Sequence, residues 1–234
     1  MVVKKLSVIM PVYNEEETIL EAVRRVLKAR LPKIKKQVII INDGSNDGTL
    51  KKIKQIKDKR VRIIDRKVNK GKGASIAQGL KIATGDVVII QDADLEYEPN
   101  EYLSLLEPIQ KDLADVVYGS RFAGSGPHRV LFFWHMLGNK FLTFLSNTLT
   151  NLNLTDMETC YKMFTKDVTK KLRLREKRFG FEPEFTIKIA KMSARVYEVG
   201  ISYMGRSYTE GKKINWKDGL WALWCLFKYS FLDD

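Results

Sequence analysis

Short, almost uninterrupted runs of β-branched and aliphatic residues recur through the first half of this chain, and a stretch with helical spacing follows each of the first four. Leu6 to Val12, Val38-Ile39-Ile40-Ile41, Val61 to Ile64, Val87-Val88-Ile89-Ile90 and Val116-Val117 read as five strands. Glu16 to Ala29 carries Ile19, Leu20, Val23, Val26 and Leu27 on one side of a helix. A second helix capped by Asp47 is expected through about Lys57, a third from Ala74 to Ala83 closed by Gly85, and a fourth from Tyr102 to Ile109. Strands that are apolar at nearly every position are buried on both faces. The expectation is an α/β fold with a mainly parallel sheet and helices on both sides. Ligands of such sheets sit beyond the carboxyl ends of the strands. Here polar residues gather at those ends: Asn14-Glu15 after the first strand, Asp43 after the second, Asp92 and Asp94 after the fourth, Arg121 after the fifth.

The 234 residues suit one large domain that buries its core without disulfides or a structural metal. Cys160 and Cys225 are the only cysteines and form no C-x-x-C, which excludes a disulfide scaffold and a thiolate zinc site and fits a reducing cytosol. Lys and Arg outnumber Asp and Glu 41 to 28, a net +13 that points to an anionic partner: nucleic acid, acidic lipid or a phosphorylated substrate. The chain opens Met1-Val2-Val3-Lys4-Lys5 without an apolar signal region, and no stretch reaches the roughly 20 apolar residues that span a bilayer. A protein that is soluble or lies on a membrane is expected. In the second half, Gly119 to Arg129 reads as a mobile loop and Val130 to Leu152 as a long apolar, aromatic helix. Residues 155–213 mix short strands, turns and one helix near Thr186 to Lys191, and Trp216 to Phe231 is a last helix rich in Trp, Leu and Phe.

Asp92-Ala93-Asp94 takes a buried strand straight into two carboxylates. Hard oxygen ligands so placed suit Mg²⁺ or Mn²⁺ held jointly with substrate phosphates; a solvated acidic turn is the plainer alternative. Asn42 to Thr49 is another strand-to-helix turn, in which Asp43 offers an acceptor to a nucleobase edge and Asp47 an Asx turn and helix cap. Pro11-Val12-Tyr13-Asn14-Glu15 ends the first strand with polar groups at the same sheet edge. Asn69-Lys70-Gly71-Lys72-Gly73-Ala74-Ser75 is neither G-x-G-x-x-G nor a P-loop. Its backbone N–H groups, helix start and lysines favour a phosphate, against the plain reading of an exposed basic turn.

Taken in order, P-V-Y-N-E at 11–15, N-D-G-S-N-D-G-T at 42–49, N-K-G-K-G-A at 69–74, D-A-D-L at 92–95 and G-S-R at 119–121 resemble the family 2 glycosyltransferases of GT-A fold. The set is most similar to the dolichol-phosphate mannose synthase and polyprenyl-phosphate hexosyltransferase branch. Thr155 to Lys162, Gly180 to Glu184 and Gly205 to Lys213 look like the acceptor-side half of that branch. The resemblance covers 1–213, the expected Rossmann-like catalytic domain, and leaves 214–234 as a C-terminal amphipathic helix for a membrane or partner. It implies inverting transfer of one sugar from a nucleoside diphosphate donor, GDP-mannose or a UDP-hexose. By that similarity Pro11, Tyr13, Glu15 and Asp43 hold the nucleoside, Asp92 and Asp94 handle ribose, metal and diphosphate with Glu96 as a further metal contact, and Lys72 and Arg121 face the phosphates. Asp156 or Glu158 lines the acceptor pocket, with Arg129, Glu182, Glu184, Arg206 and Lys212 on the acceptor side. Two departures stand out: Asn42 where the family often has Asp, and Glu96 where it often has Gln.

A lipid-phosphate acceptor is already an anion and needs positioning more than deprotonation. A sugar hydroxyl needs a general base, for which Asp156, Glu158, Glu182 and Glu184 are the candidates, while His128 and His135 read as structural. Val130 to Leu137 and Leu220 to Phe227 are too short to span a bilayer. Their Trp, Phe and Leu lie beside Arg129, Lys140, Lys217 and Lys228, which suits helices in a membrane interface; covering the sheet or forming a dimer contact is the alternative. The branch commonly carries transmembrane helices after the catalytic domain, so interfacial docking or a separate membrane partner is expected in their place. Eleven Lys or Arg face two acidic residues between Lys51 and Lys72 without one aromatic, which reads as a solvated basic face and not as a nucleic-acid site. The main expectation is a metal-dependent polyprenyl-phosphate glycosyltransferase, peripheral at the cytoplasmic face of the cell membrane. Its rivals are a transferase extending a saccharide, a nucleotidyltransferase, for which Pro11–Glu15 lacks the glycine-rich loop, and a non-catalytic lipid- or polyanion-binding module.

Overall fold

The computed structural model describes residues 1–124, 129–130, 132–206 and 216–233. In chain order these form β1 (Lys5–Val12), α1 (Ile19–Lys28), β2 (Lys35–Asp43), α2 (Thr49–Ile53), β3 (Val61–Arg66), α3 (Lys72–Ile82), β4 (Val87–Ile90), α4 (Tyr102–Gln110), β5 (Val116–Ser120), α5 (Phe133–Thr150), β6 (Lys162–Thr165), α6 (Lys166–Lys171), α7 (Phe181–Lys191), β7 (Val196–Gly200) and α8 (Trp216–Phe231). The strands make one sheet in the order β3-β2-β1-β4-β6-β5-β7. β1, β2, β3 and β4 pair in parallel, as do β5 and β7. β6 alone runs antiparallel, against both β4 and β5.

The parallel core is the one the apolar runs demand. Val38 to Ile41 and Val87 to Ile90 are all buried, so no position of either run faces water. The order reverses at β1, which lies between β2 and β4, and a crevice opens beyond the strand ends there. β6 has a direct consequence for the site. Because it is antiparallel, its starting end lies beside the finishing ends of β4 and β5, and it delivers residues 155–161 to the same edge as Asp92 and Arg121.

Several boundaries differ from the sequence expectation, three of them near the site. α2 stops at Ile53, because Gln55 and Ile56 N–H turn back onto Lys52 and Ile53 carbonyls and swing the chain into β3. α3 begins at Lys72, two residues early, with Gly71 before it at φ 93. A Cβ on Gly71 would lie 2.3 Å from the Lys177 carbonyl, so only glycine fits. α7 begins at Phe181, five residues before the expected start. Pro183 falls in its first turn, where no intrahelical N–H is required.

α7 packs Phe185 against Phe164 of β6 and Tyr118 of β5, and Tyr118 and Thr186 hydroxyls bond across the contact. α5 and α8 pack on α7 and on each other, outside the sheet. Ala222, Cys225, Leu226 and Tyr229 of α8 are buried in the same core as the strands, so α8 joins the main body of the protein. The expected loop at Gly119–Arg129 is strand to Ser120, and its residues 125–128 lie outside the described ones.

Candidate active site

A cavity of about 840 Å³ lies at the carboxyl edge of the sheet. Its walls include Pro11 near the end of β1 and Tyr13 and Glu15 after it, Asp43 at the end of β2, Lys72 at the start of α3, Asp92, Asp94 and Glu96 after β4, and Arg121 after β5. All five strand-end motifs meet in one place because parallel strands end on one side.

The loops of this wall are tied to one another. Asn14 N–H donates to Ser45 Oγ, Glu15 N–H to Thr49 Oγ1 and Gly48 N–H to Glu16 Oε2. Asn42 bonds Asp65 and Ser45. Asp43 accepts from Lys70 and Gly71 N–H and pairs with Arg66 at 2.9 Å. Asp43 thus lines the cavity while its carboxylate also shapes the glycine-rich turn. Three N–H groups of that turn are likewise taken, Lys70 and Gly71 by Asp43 and Ala74 by Lys177 O. The turn also presents the Lys72 side chain. Lys72 Nζ bridges Asp92 Oδ2 at 3.0 Å and Glu182 Oε1 at 3.2 Å. Burial opposes its charge, but Asp92, the Cys160 thiol and Glu182 raise its pKa well above the ordinary value.

Asp92 is positioned from below. Gln91 accepts from Tyr102 and Tyr161 hydroxyls at 2.5 and 2.7 Å and donates to the Asp92 carbonyl. Asp94 closes a turn through Leu95, whose φ of 66 is unusual for a branched residue, and accepts Glu96 N–H. Burial, then Asp92 and Glu96 nearby, push the Asp94 pKa up to about 8 although Arg206 pulls it down. The metal expectation divides at this point. Asp92 and Asp94 are crowded hard-oxygen donors that fit Mg²⁺ or Mn²⁺. Among the described residues no three acidic, His or Cys groups gather as a metal cage. Glu96 is not available in the same way: its carboxylate accepts Tyr203 O–H and Arg206 N–H, which staple the 203–206 segment over the turn.

Arg206, expected on the acceptor side, reaches the donor end. Its guanidinium lies 3.4 Å from Glu15 and Asp94 and 3.5 Å from Glu96. Arg121 makes a bidentate pair with Asp156 at 2.7 Å and stacks 5.1 Å over Tyr203. Burial opposes charge on Arg121, but Asp156 and the tyrosines keep it cationic.

A family model described as glycosyl transferase family 2 matches residues 7–173. The chain belongs to glycosyltransferase family 2. It is 30% identical over 217 residues to a dolichol-phosphate mannosyltransferase of Pyrococcus furiosus, covering 90% of this chain and 60% of that protein. It is 28% identical over 231 residues to a UDP-N-acetylglucosamine–dolichyl-phosphate N-acetylglucosaminyltransferase of Methanococcus voltae, covering 91% and 90%. The chain thus spans less than two thirds of the first relative and nearly all of the second. Among solved structures, glucosyl-3-phosphoglycerate synthase of Mycobacterium tuberculosis with Mn²⁺, UDP and phosphoglyceric acid superposes at a TM-score of 0.74 with 16% identity, over 99% of this chain and 80% of that one. The same enzyme with Mg²⁺ and UDP gives 0.72 with 17% identity, over 99% and 81%. These likenesses establish the GT-A fold.

Within this glycosyltransferase, several residues expected at the acceptor fall elsewhere. Asp156 is fully buried, its oxygens engaged by Arg121, so it positions that arginine and has no room to act as a base. Glu184 is likewise buried, accepting Arg175 and Glu176 N–H and pairing with Lys188, away from the cavity. Arg129 donates to Gly205 O. Lys212 and His128 lie outside the described residues. Glu158 and Glu182 do line the cavity. Burial, then Glu182, raise the Glu158 pKa to about 8. Tyr97 and Tyr203 also line it and were not foreseen, since no spacing distinguishes them from core aromatics.

At its far end the cavity passes between α5 and α8, beside Trp134, Gly138, Leu142, Gly219 and Ala222. A Cβ added at Gly138 or Gly219 would meet nothing within 4 Å, so both leave open space. Outside it, α5 exposes Phe133, Trp134, Leu137, Phe141 and Phe144, and α8 exposes Leu220, Trp224, Phe227 and Phe231. Each set follows helical spacing. Trp134 is 78% and Phe144 65% exposed. No helix of the described residues is long and apolar enough to cross a membrane.

Proposed function

We propose that this glycosyltransferase moves a single sugar from a nucleoside diphosphate donor to a polyprenyl phosphate, with a divalent metal and with inversion, while resting on the cytoplasmic face of a membrane. The observation that carries this reading is one continuous cavity, with paired carboxylates Asp92 and Asp94 at one end and two outwardly apolar helices at the other. The relatives named for dolichyl phosphate acceptors support the acceptor class.

Asp92 and Asp94 would hold Mg²⁺ or Mn²⁺, which when bound neutralises charge on the departing diphosphate. Lys72 and Arg121, both kept cationic by buried acids, face the same region and stabilise that charge. An acceptor phosphate oxygen attacks the anomeric carbon as the bond to the diphosphate breaks. The attacking group is already an anion, so no base is needed. The ion pairing of Asp156 and Glu184 accords with that. The exposed aromatic stripes of α5 and α8, with Lys140 beside them, fit the headgroup–acyl boundary of an anionic bilayer. The lipid chain then enters between the helices, past Gly138 and Gly219.

A second reading, transfer to a saccharide hydroxyl, draws on Glu158, whose raised pKa suits a base. Incubation with Mn²⁺, a panel of UDP- and GDP-sugars and either polyprenyl phosphate or an oligosaccharide separates the two. An acid-labile glycosyl phospholipid is expected; an acid-stable glycoside alone would overturn the lipid reading.

A further inference from the structure

Two carboxylates in the cavity floor lack hydrogen-bond partners that buried oxygens normally have. Glu182 has a side chain only 4% exposed; its Oε1 holds Lys72, and its Oε2 makes no hydrogen bond. Glu158 Oε1 is buried and also makes none. The groups that could satisfy them are engaged elsewhere. Lys162, over the Tyr118 ring and within electrostatic reach of both acids, donates to the Met157 and Thr159 carbonyls. Arg121 is committed to Asp156.

The position and charge of this pair define what it accepts. One ammonium, Lys72, joins Glu182 to Asp92, so the pair lies immediately beside the diphosphate end of the cavity. Glu182 is already paired with Lys72 and Glu158 offers no positive charge, so nothing in the pair draws a phosphate, and the acceptor headgroup and the nucleotide phosphates are poor occupants. A neutral group with hydroxyl donors, attached next to the diphosphate, matches both position and charge.

We propose that Glu158 and Glu182 bind hydroxyl groups of the transferred sugar and set which sugar this enzyme accepts. The inference rests on the nucleotide-sugar reading above, and it moves both residues from the acceptor to the donor. Glu182 accepts from one hydroxyl. Glu158, whose pKa is pushed up to about 8, carries its proton at neutral pH and can donate to a sugar oxygen as well as accept.

The test is a cycle between protein and donor. Glu158→Gln and Glu182→Gln are compared with the parent in acceptor-free donor hydrolysis, using the preferred nucleotide sugar and its singly deoxygenated analogues. Bare nucleotide affinity with Mn²⁺ is measured in parallel by calorimetry. Each variant should lose ~100-fold in kcat/KM on the complete donor. Each should lose less than about threefold on the one analogue lacking the hydroxyl it reads, and should keep the parent's affinity for the bare nucleotide. An equal loss on every donor, weakened binding of the bare nucleotide by both variants, or unchanged hydrolysis with loss only of transfer to acceptor would each overturn the assignment. Glu182→Gln also breaks the Lys72 pair, so Glu158→Gln, which breaks no ion pair, stands as the independent variant. A parent that binds no nucleotide would overturn the transferase reading and this inference with it; a parent that turns over all deoxygenated donors equally would overturn the inference alone.

Discussion

The two walls of the cavity are built on opposite principles. On the donor wall, at the ends of β1, β2 and β4, polar side chains are engaged with one another: Asp43 with Arg66 and the glycine turn, Glu16 with Gly48, Lys72 with Asp92. On the wall of α5 and α8, apolar side chains face outward and two glycines leave space inside. The first wall is held in shape before any ligand arrives, as a site for a charged and exacting donor requires. The second is smooth and apolar, which fits the lipid acceptor proposed above. Rigidity on one wall and an uncovered apolar surface on the other suit the two walls to ligands recognised by different physics.

Breaking the donor wall at its acidic centre should have the largest effect. Asp94→Ala is expected to lower turnover by more than ~10³-fold and abolish metal-dependent UDP or GDP binding in calorimetry. Parent-like activity would remove Asp94 from the metal site. Next, Asp43→Ala leaves Arg66 and two N–H groups without their acceptor, for a loss of about 3 kcal/mol in urea unfolding. A change under a few tenths would show that this wall is not held by its ion pairs. On the other wall, replacing both Trp224 and Phe227 by Ser should weaken binding to anionic vesicles by roughly 30-fold, an apolar loss of about 2 kcal/mol, while donor hydrolysis is unchanged. Trp224 is the better choice than Trp221, because Trp221 Nε1 donates to buried Glu176 and its loss would disturb folding. Equal vesicle affinity of variant and parent would refute interfacial docking. Gly219→Leu sharpens the contrast further: it should raise KM for polyprenyl phosphate about tenfold, roughly 1.4 kcal/mol, without lowering Tm, since leucine favours the helix.

The smallest effect is on pH. Asp94 and Glu158 both have folded pKa values near 8, above their unfolded ones. The stability they contribute is complete below about pH 4 and is lost as pH rises through 8. Tm should fall between pH 5 and 8 in calorimetric scans. Asp94→Asn and Glu158→Gln should each flatten that slope, and a slope unaltered in both would place the titration elsewhere.

Much of the donor wall was legible because its signals are local. Val87 to Ile90 is β4 residue for residue, and the carboxylates at 92 and 94 follow it directly. The last helix, Trp216–Phe231, was also legible from its apolar spacing. The start of α7 was obscured by Pro183, which ends a helix in most positions but not in a first turn. β6 was obscured because Lys162-Met163-Phe164-Thr165 is short and carries a lysine. That lysine is tolerated in the core only because two backbone carbonyls and the Tyr118 ring receive its ammonium.

The roles of the acids divide in the same way. Asp156, Glu158, Glu182 and Glu184 are alike as sequence. Burial and partners separate them: Asp156 and Glu184 are bound to cations and backbone N–H groups, whereas Glu158 and Glu182 line the cavity and each keep one buried oxygen without a hydrogen-bond partner. Arg206, more than a hundred residues from Asp94 in sequence, joins the donor acids only through folding.

Strand periodicity and the residues that end each strand determined by themselves the α/β class, the edge on which the site lies and the family. These depend on neighbours in the chain, and a parallel sheet aligns its strand ends whatever the loops do. Which acids are engaged, which lysine bridges them and where the apolar wall opens were decided by tertiary structure alone. Those properties depend on desolvation and on contacts between distant segments, and identical side chains acquire different chemistry according to what is packed around them.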